Sequence, residues 1–330
     1  MQRERMDYDV VIVGAGPAGL STAIRLQQLA LEKQLELGIC VLEKGSEVGA
    51  HILSGAVLDP RALHELIPDW QEKQAPLQTA VSSDEFYFLR GPQKAWRVPN
   101  ALLPAPMHNR GNYIISLGKL CRWLAAEAEA LGVDIFPGFP AADVIIDDRR
   151  IVRGVITGDM GVAADGTASD SFEPGVELQG KYTVFAEGCR GHLGKRLIRE
   201  FDLDSESDPQ HYGLGIKELW EIPAEHHQSG LVIHGAGWPL TEADSNGGFF
   251  LYHLENNQVS VGLIVDLNYS NPWLSPYQEF QRLKQHPLIR HTLCAGRRVC
   301  YGARAISKGG YFSLPQMLMP GAILVGCDAG

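Results

Sequence analysis

Gly14, Gly16 and Gly19, in the run Gly14-Ala15-Gly16-Pro17-Ala18-Gly19-Leu20, stand directly behind the apolar stretch Tyr8-Asp9-Val10-Val11-Ile12-Val13. Glycines at this spacing, after a buried-type strand and ahead of a helix, suit the holding of a dinucleotide pyrophosphate. Gly14 permits the tight turn, Gly16 lets backbone approach the phosphates, and Gly19 lets the helix lie close on the strand. The phosphates then meet the free N–H groups at the helix N-terminus. A second apolar stretch, Ile39-Cys40-Val41-Leu42, ends in Glu43 and Lys44. A carboxylate at such a strand end can accept from both hydroxyls of an adenosine ribose and disfavours a 2'-phosphate, so the unit predicts FAD or NAD rather than NADP.

The rest of the chain favours FAD. Ala322-Ile323-Leu324-Val325-Gly326 reads as a short buried strand running into Cys327-Asp328-Ala329-Gly330, a Gly-x-Asp-x-Gly pattern. In two-domain flavoproteins such a late strand returns to the first βαβ unit and brings its Asp to the ribityl and phosphate end of FAD, whereas a nicotinamide domain normally closes within the first half. A third segment, Tyr182 to Gly191, is again a strand ending in an acid and glycines, Glu187-Gly188, ahead of a helix over His192 to Phe201. Three such strand ends separated by long insertions point to FAD. Glu187 has a second reading, as an acid capping the positive end of that helix.

These strand ends must be carried by a scaffold, and length and composition bound it. At 330 residues the chain can bury two cores. The net charge of -10, with no basic stripe, argues against nucleic acid as a partner. No apolar run is long enough to span a membrane, and too few residues precede the first strand for a signal or transit peptide. A bacterial cytoplasmic or an already processed N-terminus is therefore expected. Six cysteines form no C-x-x-C pair, and Cys294 and Cys300 match no zinc or iron-sulfur spacing, so no metal site is expected within these residues.

Periodicity places helices over Ser21–Leu31, Pro60–Leu66, Ser116–Leu131 and Pro276–Lys284. Gly49 to Ala56, with Ser54 and Gly55, is a small-residue loop that could admit a flavin ring to backbone. Residues 83–103 are aromatic and proline-rich, unlike a Rossmann segment. Val144-Ile145-Ile146, Val152 to Thr157 and a Gly/Asp-rich hairpin suggest a three-stranded meander. The stretches Leu214–Trp220, Gly248–His253 and Val259–Val265 read as members of one antiparallel sheet. Three stretches, Trp96–Met107, Trp238-Pro239-Leu240 and Leu53–Ile67, could face a membrane or simply be core.

Several longer strings carry a resemblance. Gly49–Pro60, His108–Ile114, Phe185–Cys189, Gly213–Trp220, Gly237–Leu240 and Tyr301–Ala305 closely resemble electron-transfer flavoprotein:ubiquinone oxidoreductase, and the resemblance covers essentially the whole chain. That family is a peripheral inner-membrane enzyme with one FAD, one [4Fe-4S] cluster and a ubiquinone site, passing electrons from reduced electron-transfer flavoprotein into the quinone pool.

The resemblance implies an α/β fold: a Rossmann-like FAD-binding domain (1–82, 115–205, 319–330) with an inserted antiparallel-sheet, α+β, quinone-binding domain (83–114, 206–318). It implies cofactor contacts from Gly14, Ala15, Gly16, Pro17, Ala18, Gly19, Glu43, Lys44, Ser54, Gly55, Val144, Glu187, Gly188, Gly326 and Asp328. The quinone headgroup would meet backbone at Gly247-Gly248, which local sequence alone reads equally well as a hairpin turn. No catalytic side chain is assigned. The family's C-terminal cluster domain, with its cysteine ligands, lies beyond Gly330, so a fragment or a truncated homologue that binds FAD poorly is expected. A bacterial inner-membrane location on the cytoplasmic side is implied, or the matrix side of the mitochondrial inner membrane for a processed chain. The alternatives are a related flavin monooxygenase or prenyl reductase, and an inactive flavin-binding fragment.

Overall fold

The computed structural model describes residues 3–53, 55–163 and 165–330; Ser54 lies outside the described residues. Two compact units emerge. One gathers the residues up to His51, Cys121–Gln210 and Gly309–Gly330; the other holds Ile52–Leu120 and His211–Lys308. The first boundary thus falls at His51 rather than at 82. Ala56–Leu58 and Thr79–Ala80 both pair with Tyr113–Ile115 in a three-stranded sheet of the second unit, a partnership between distant segments that composition does not reveal.

In the first unit the strands Ala322–Leu324, Glu177–Phe185, Arg5–Val13, Ile39–Glu43 and Asp134–Pro137 lie side by side in that order, every neighbouring pair parallel. Covered on both faces, such strands read as continuous apolar runs, and Val11, Ile12, Cys40 and Val41 are fully buried. The helix Pro17–Glu32 buries Leu20, Ala23 and Ile24, and the helix His192–Phe201 buries Leu193 and Leu197. Val152–Thr157 pairs antiparallel with both Ala141–Ile146 and Glu177–Phe185. The meander therefore closes on Glu177–Phe185. The Gly/Asp-rich hairpin, Met160–Val162 with Ala168–Glu173, is a separate two-stranded sheet, because its mostly exposed polar residues offer no apolar face to the core.

The second unit is built on a seven-stranded sheet. Its order is Arg297–Ser307, Tyr212–Glu221, Gln258–Asp266, Gly247–His253, Leu231–Gly237, Ser83–Gly91 and Lys94–Val98. All pairings are antiparallel except that of Leu231–Gly237 with Ser83–Gly91, which is parallel. One face, through Phe249, Leu251, Val261, Leu263 and Val265, packs on two helices that contribute Phe280, Leu283, Ile289 and Leu293. The helix Pro276–Gln285 begins with Ser275, which accepts from the Gln278 N–H, and Pro276 at its first position. The helix Pro287–Leu293 is an element that periodicity does not show. It is too short for a repeat, and a histidine caps it: His286 Nδ1 accepts from the Leu288 N–H at 3.2 Å.

Trp238 and Leu240 are 5% and 3% exposed, and Leu63 and Ile67 are buried in the same way. Of the three stretches that could face a membrane, these two are therefore core at those positions. In the third, Trp96, Leu102 and Met107 are exposed. No helix among the described residues is long and apolar enough to cross a membrane.

Candidate functional site: a dinucleotide cradle and a glycine-bearing sheet face

Three strand ends of the first unit come together. At the first, Gly14 adopts φ +107, and a Cβ there would lie 2.4 Å from the Ala186 carbonyl oxygen. A Cβ on Gly19 would lie 2.0 Å from the Gly14 oxygen. Both positions exclude side chains through close backbone approach, of strand end to strand end and of helix to turn. Gly16 differs in kind. Its φ of -82 suits any residue, it caps the helix without a side-chain bond, and a Cβ there would meet nothing within 4 Å. The open space lies where uncapped N–H groups at the helix start would meet a phosphate, so these residues fit a dinucleotide.

Glu43, half-buried at its strand end, accepts from the Ala15 N–H at 3.2 Å and from the Gly45 N–H at 2.7 Å. A carboxylate has about four acceptor sites. Two remain for ribose hydroxyls. Lys44 beside it is exposed. Glu43→Ala is expected to weaken FAD binding by about 1.5–3 kcal/mol, the usual worth of a bond to a charged acceptor, with the fold retained. A fluorescence titration of flavin into both proteins reads this directly, and an unchanged dissociation constant would remove Glu43 from the site.

The second and third strand ends meet over Asp328. Glu187 Oε2 accepts from the Gly194 N–H at 2.8 Å, and Glu187 Oε1 lies 3.3 Å from His192 Nδ1, so this acid caps the helix His192–Phe201. Its own N–H donates to Asp328 Oδ2 at 3.3 Å. Asp328 is 8% exposed, and a Cβ on Gly194 would fall 2.3 Å from its Oδ1. Gly191, and Gly194 inside the helix, which no sequence signal marks, leave it that room. Burial, then the neighbouring Glu187 charge, push the Asp328 carboxyl up to about 7, against the pull of the Glu187 N–H. Gly188 and Gly326 take positive φ, +87 and +63, and a Cβ on Gly326 would lie 2.6 Å from the Ala18 Cβ. The late strand thus returns to the first turn of the helix Pro17–Glu32. Val144 stands on Ala141–Ile146 opposite Val155, and its side chain joins the core of this unit.

Gly55, Gly247 and Gly248 belong to the second unit. Gly247 and Gly248 open the strand Gly247–His253 and lie inside the sheet, not in a turn. Gly247 has φ +152, and a Cβ there would be 2.0 Å from the Ile264 oxygen; one on Gly248 would be 2.8 Å from the Gly235 oxygen. Strand packing by itself therefore demands small residues here. Since Phe249 and Leu251 face the helices, Gly248, Phe250 and Tyr252 face the other way.

On that opposite face Lys217, Gly262, Phe250 and His234 align in one row across four strands. The Phe250 ring stacks on Tyr252 with centroids 4.6 Å apart. His234 Nε2 and Tyr252 Oη share a 2.7 Å hydrogen bond. Burial lowers the His234 pKa and raises that of Tyr252, so both sit neutral near pH 7. Lys217 Nζ donates to the Gly55 oxygen at 3.3 Å, and burial, then Arg304, hold it below the ordinary lysine value. Nothing in the sequence marks Lys217 as half-buried beyond its place in an apolar strand.

Comparison with known proteins connects the two units to one family. A family model described as "ETF-QO, ubiquinone-binding" matches residues 212–306, and one described as "NAD(P)-binding Rossmann-like domain" matches residues 12–75. The "Electron transfer flavoprotein-ubiquinone oxidoreductase" of Pseudomonas aeruginosa is 61% identical over all of this chain, and the human mitochondrial protein of that name 50% identical. Along its whole length the chain is similar to electron transfer flavoprotein-ubiquinone oxidoreductases. It spans 60% of the length of the Pseudomonas relative and 53% of the human one.

Two solved structures share the fold. One is a geranylgeranyl bacteriochlorophyll reductase-like protein from Thermoplasma acidophilum, with a TM-score of 0.67 at 17% identity over 98% of this chain and 72% of that one. The other is the myxobacterial chondrochloren halogenase, an FAD-dependent enzyme, with 0.64 at 17% over 98% and 68%. At such identity they speak for architecture alone. No group of His, Cys, Asp or Glu among the described residues could hold a metal ion; the [4Fe-4S] cluster is an expectation from the family, with no residue here assigned to it.

Proposed function

We propose that this protein passes electrons from reduced electron-transfer flavoprotein to ubiquinone, with FAD held mainly by the strand ends of the first unit and ubiquinone by the second. The observation that carries the reading is the ubiquinone-binding family match over residues 212–306, which contains the whole Gly248, Phe250 and Tyr252 face. FAD, when bound, supplies a centre able to exchange electrons singly or in pairs.

The chain's own part is to bind and orient. Within Gly14–Gly19 the helix-start N–H groups of Ala18 and Gly19 meet the pyrophosphate, since those of Gly14 and Ala15 already donate to Leu42 and Glu43; Glu43 accepts from the ribose, and Gly326 and Asp328 approach the ribityl end. Lys44, Ser54, Gly55, Val144, Glu187 and Gly188 complete the proposed set of cofactor contacts. The quinone headgroup is placed against the backbone at Gly247-Gly248, on the strand that opens this sheet face. Reduction of ubiquinone to ubiquinol takes up two protons, and the His234–Tyr252 pair on the same face can relay one. A peripheral position on the bacterial inner membrane, cytoplasmic side, completes the proposal, or on the matrix side of the mitochondrial inner membrane. The exposed Trp96, Leu102 and Met107 support it as an apolar surface.

Quinone placement is tested by photolabelling the flavin-loaded chain with an azido-ubiquinone and mapping the adduct. Labelling within Gly247–His253 that excess ubiquinone-1 suppresses is expected. An adduct confined to residues outside 212–306 would refute the placement.

A further inference from the structure

A cavity of about 600 Å3 opens on the helix side of the seven-stranded sheet, away from Gly248. That volume is within the range of small-molecule sites. Trp238, Pro92 and Pro287 give it apolar walls, while Arg282, Arg290, His226 and His291 also line it, with no carboxylate among the lining residues. On a chain of net charge -10 this is an unusual concentration of positive and donor groups.

The two arginines have different duties. Arg282 is neutralised by Glu279, at 2.9 Å, and by Glu242, and its guanidinium lies 5.3 Å from the centre of the Trp238 ring. It fixes the indole. Arg290 is exposed and forms no ion pair among the described residues. Two buried nitrogens have no hydrogen-bond partner among the described residues: the Nε1 donor of Trp238, a residue 5% exposed, and Nδ1 of His226, a donor or an acceptor according to tautomer. The His226 ring packs 5.1 Å from that of His291. An indole N–H can only donate, and a buried unmatched donor carries a cost that a bound acceptor removes.

We propose that this cavity binds a small molecule carrying a phosphate or carboxylate on an apolar body. Arg290 supplies the charge, Trp238 Nε1 and His226 Nδ1 supply hydrogen bonds, and the Trp238 and Pro287 surfaces take the apolar part. The site is separate from the proposed quinone face, and a neutral quinone would gain nothing from its charge. The anionic group could belong to a soluble metabolite or to a lipid headgroup.

The probe is hexyl phosphate, titrated calorimetrically into the 330-residue chain with hexanol as the neutral control. Saturable one-to-one binding of hexyl phosphate alone is expected, weakened at least tenfold in Arg290→Gln and several-fold in Trp238→Phe, which keeps a ring but loses the N–H. Co-flotation with phosphatidylglycerol vesicles, lost in Arg290→Gln, would assign the group to lipid; hexyl phosphate binding without flotation would assign it to a soluble ligand. Absence of saturable binding, or equal affinity in Arg290→Gln, overturns the proposal.

Discussion

Gly16→Val is expected to abolish flavin binding while leaving the fold in place. The backbone at Gly16 is extended, and a Cβ there meets no protein atom within 4 Å, so valine fits the apo chain. Replacing glycine at a helix N-cap by valine costs about 1 kcal/mol. What valine fills is the space that a pyrophosphate needs. The neighbouring Gly19 makes the contrast: even alanine there would put a carbon 2.0 Å from the Gly14 oxygen, so its substitution breaks the turn itself. Thermal unfolding should therefore separate the two variants, Gly16→Val near wild type and Gly19→Ala far below, while both lose flavin absorbance. A Gly16→Val protein that kept stoichiometric FAD would place the dinucleotide elsewhere.

Asp328→Asn is expected to stabilise the flavin-free chain, and to do so only above acidic pH. The unfolded carboxyl titrates at about 3.8, whereas the folded one is pushed up to about 7 by burial and by Glu187. Between those values the folded chain holds a proton that the unfolded chain has released. Stability therefore falls as pH rises through this window, and the loss is complete above the folded value. Asparagine has no such penalty. Its advantage should approach on the order of 4 kcal/mol at pH 8 and vanish near pH 3.5. Urea unfolding at the two pH values reads the difference, and a pH-independent gap would show that Asp328 is ionised in the folded chain.

Much of the first unit was legible because its signals are local. Strands buried on both faces read as apolar runs, and Gly14 and Gly19 are fixed by contacts that only glycine tolerates. The helix His192–Phe201 lies directly behind the acid and glycines that end the strand before it, as expected. What escaped depends on partners distant in sequence. Glu187 reads from the sequence as the acid of a flavin-type strand end, with helix capping as its second reading, and its bond to the Gly194 N–H shows the cap. Gly247-Gly248 read as a turn or a ligand contact, whereas both open an interior strand whose neighbours leave no room for a side chain. Residues 52–82 joined the second unit through pairing with Tyr113–Ile115, and the parallel pairing of Ser83–Gly91 with Leu231–Gly237 is likewise invisible to local pattern.

Quinone-dependent reoxidation is the most direct measurement of the proposed function. The chain is loaded with FAD, photoreduced without oxygen, and mixed with ubiquinone-1 in a stopped-flow spectrometer while flavin absorbance is followed. Rapid recovery of the oxidised spectrum is predicted, with a rate that rises with quinone concentration. NADPH should leave the oxidised loaded chain unreduced, which separates this activity from that of a monooxygenase. A reduced, fully loaded chain that ubiquinone-1 leaves unoxidised would contradict the account.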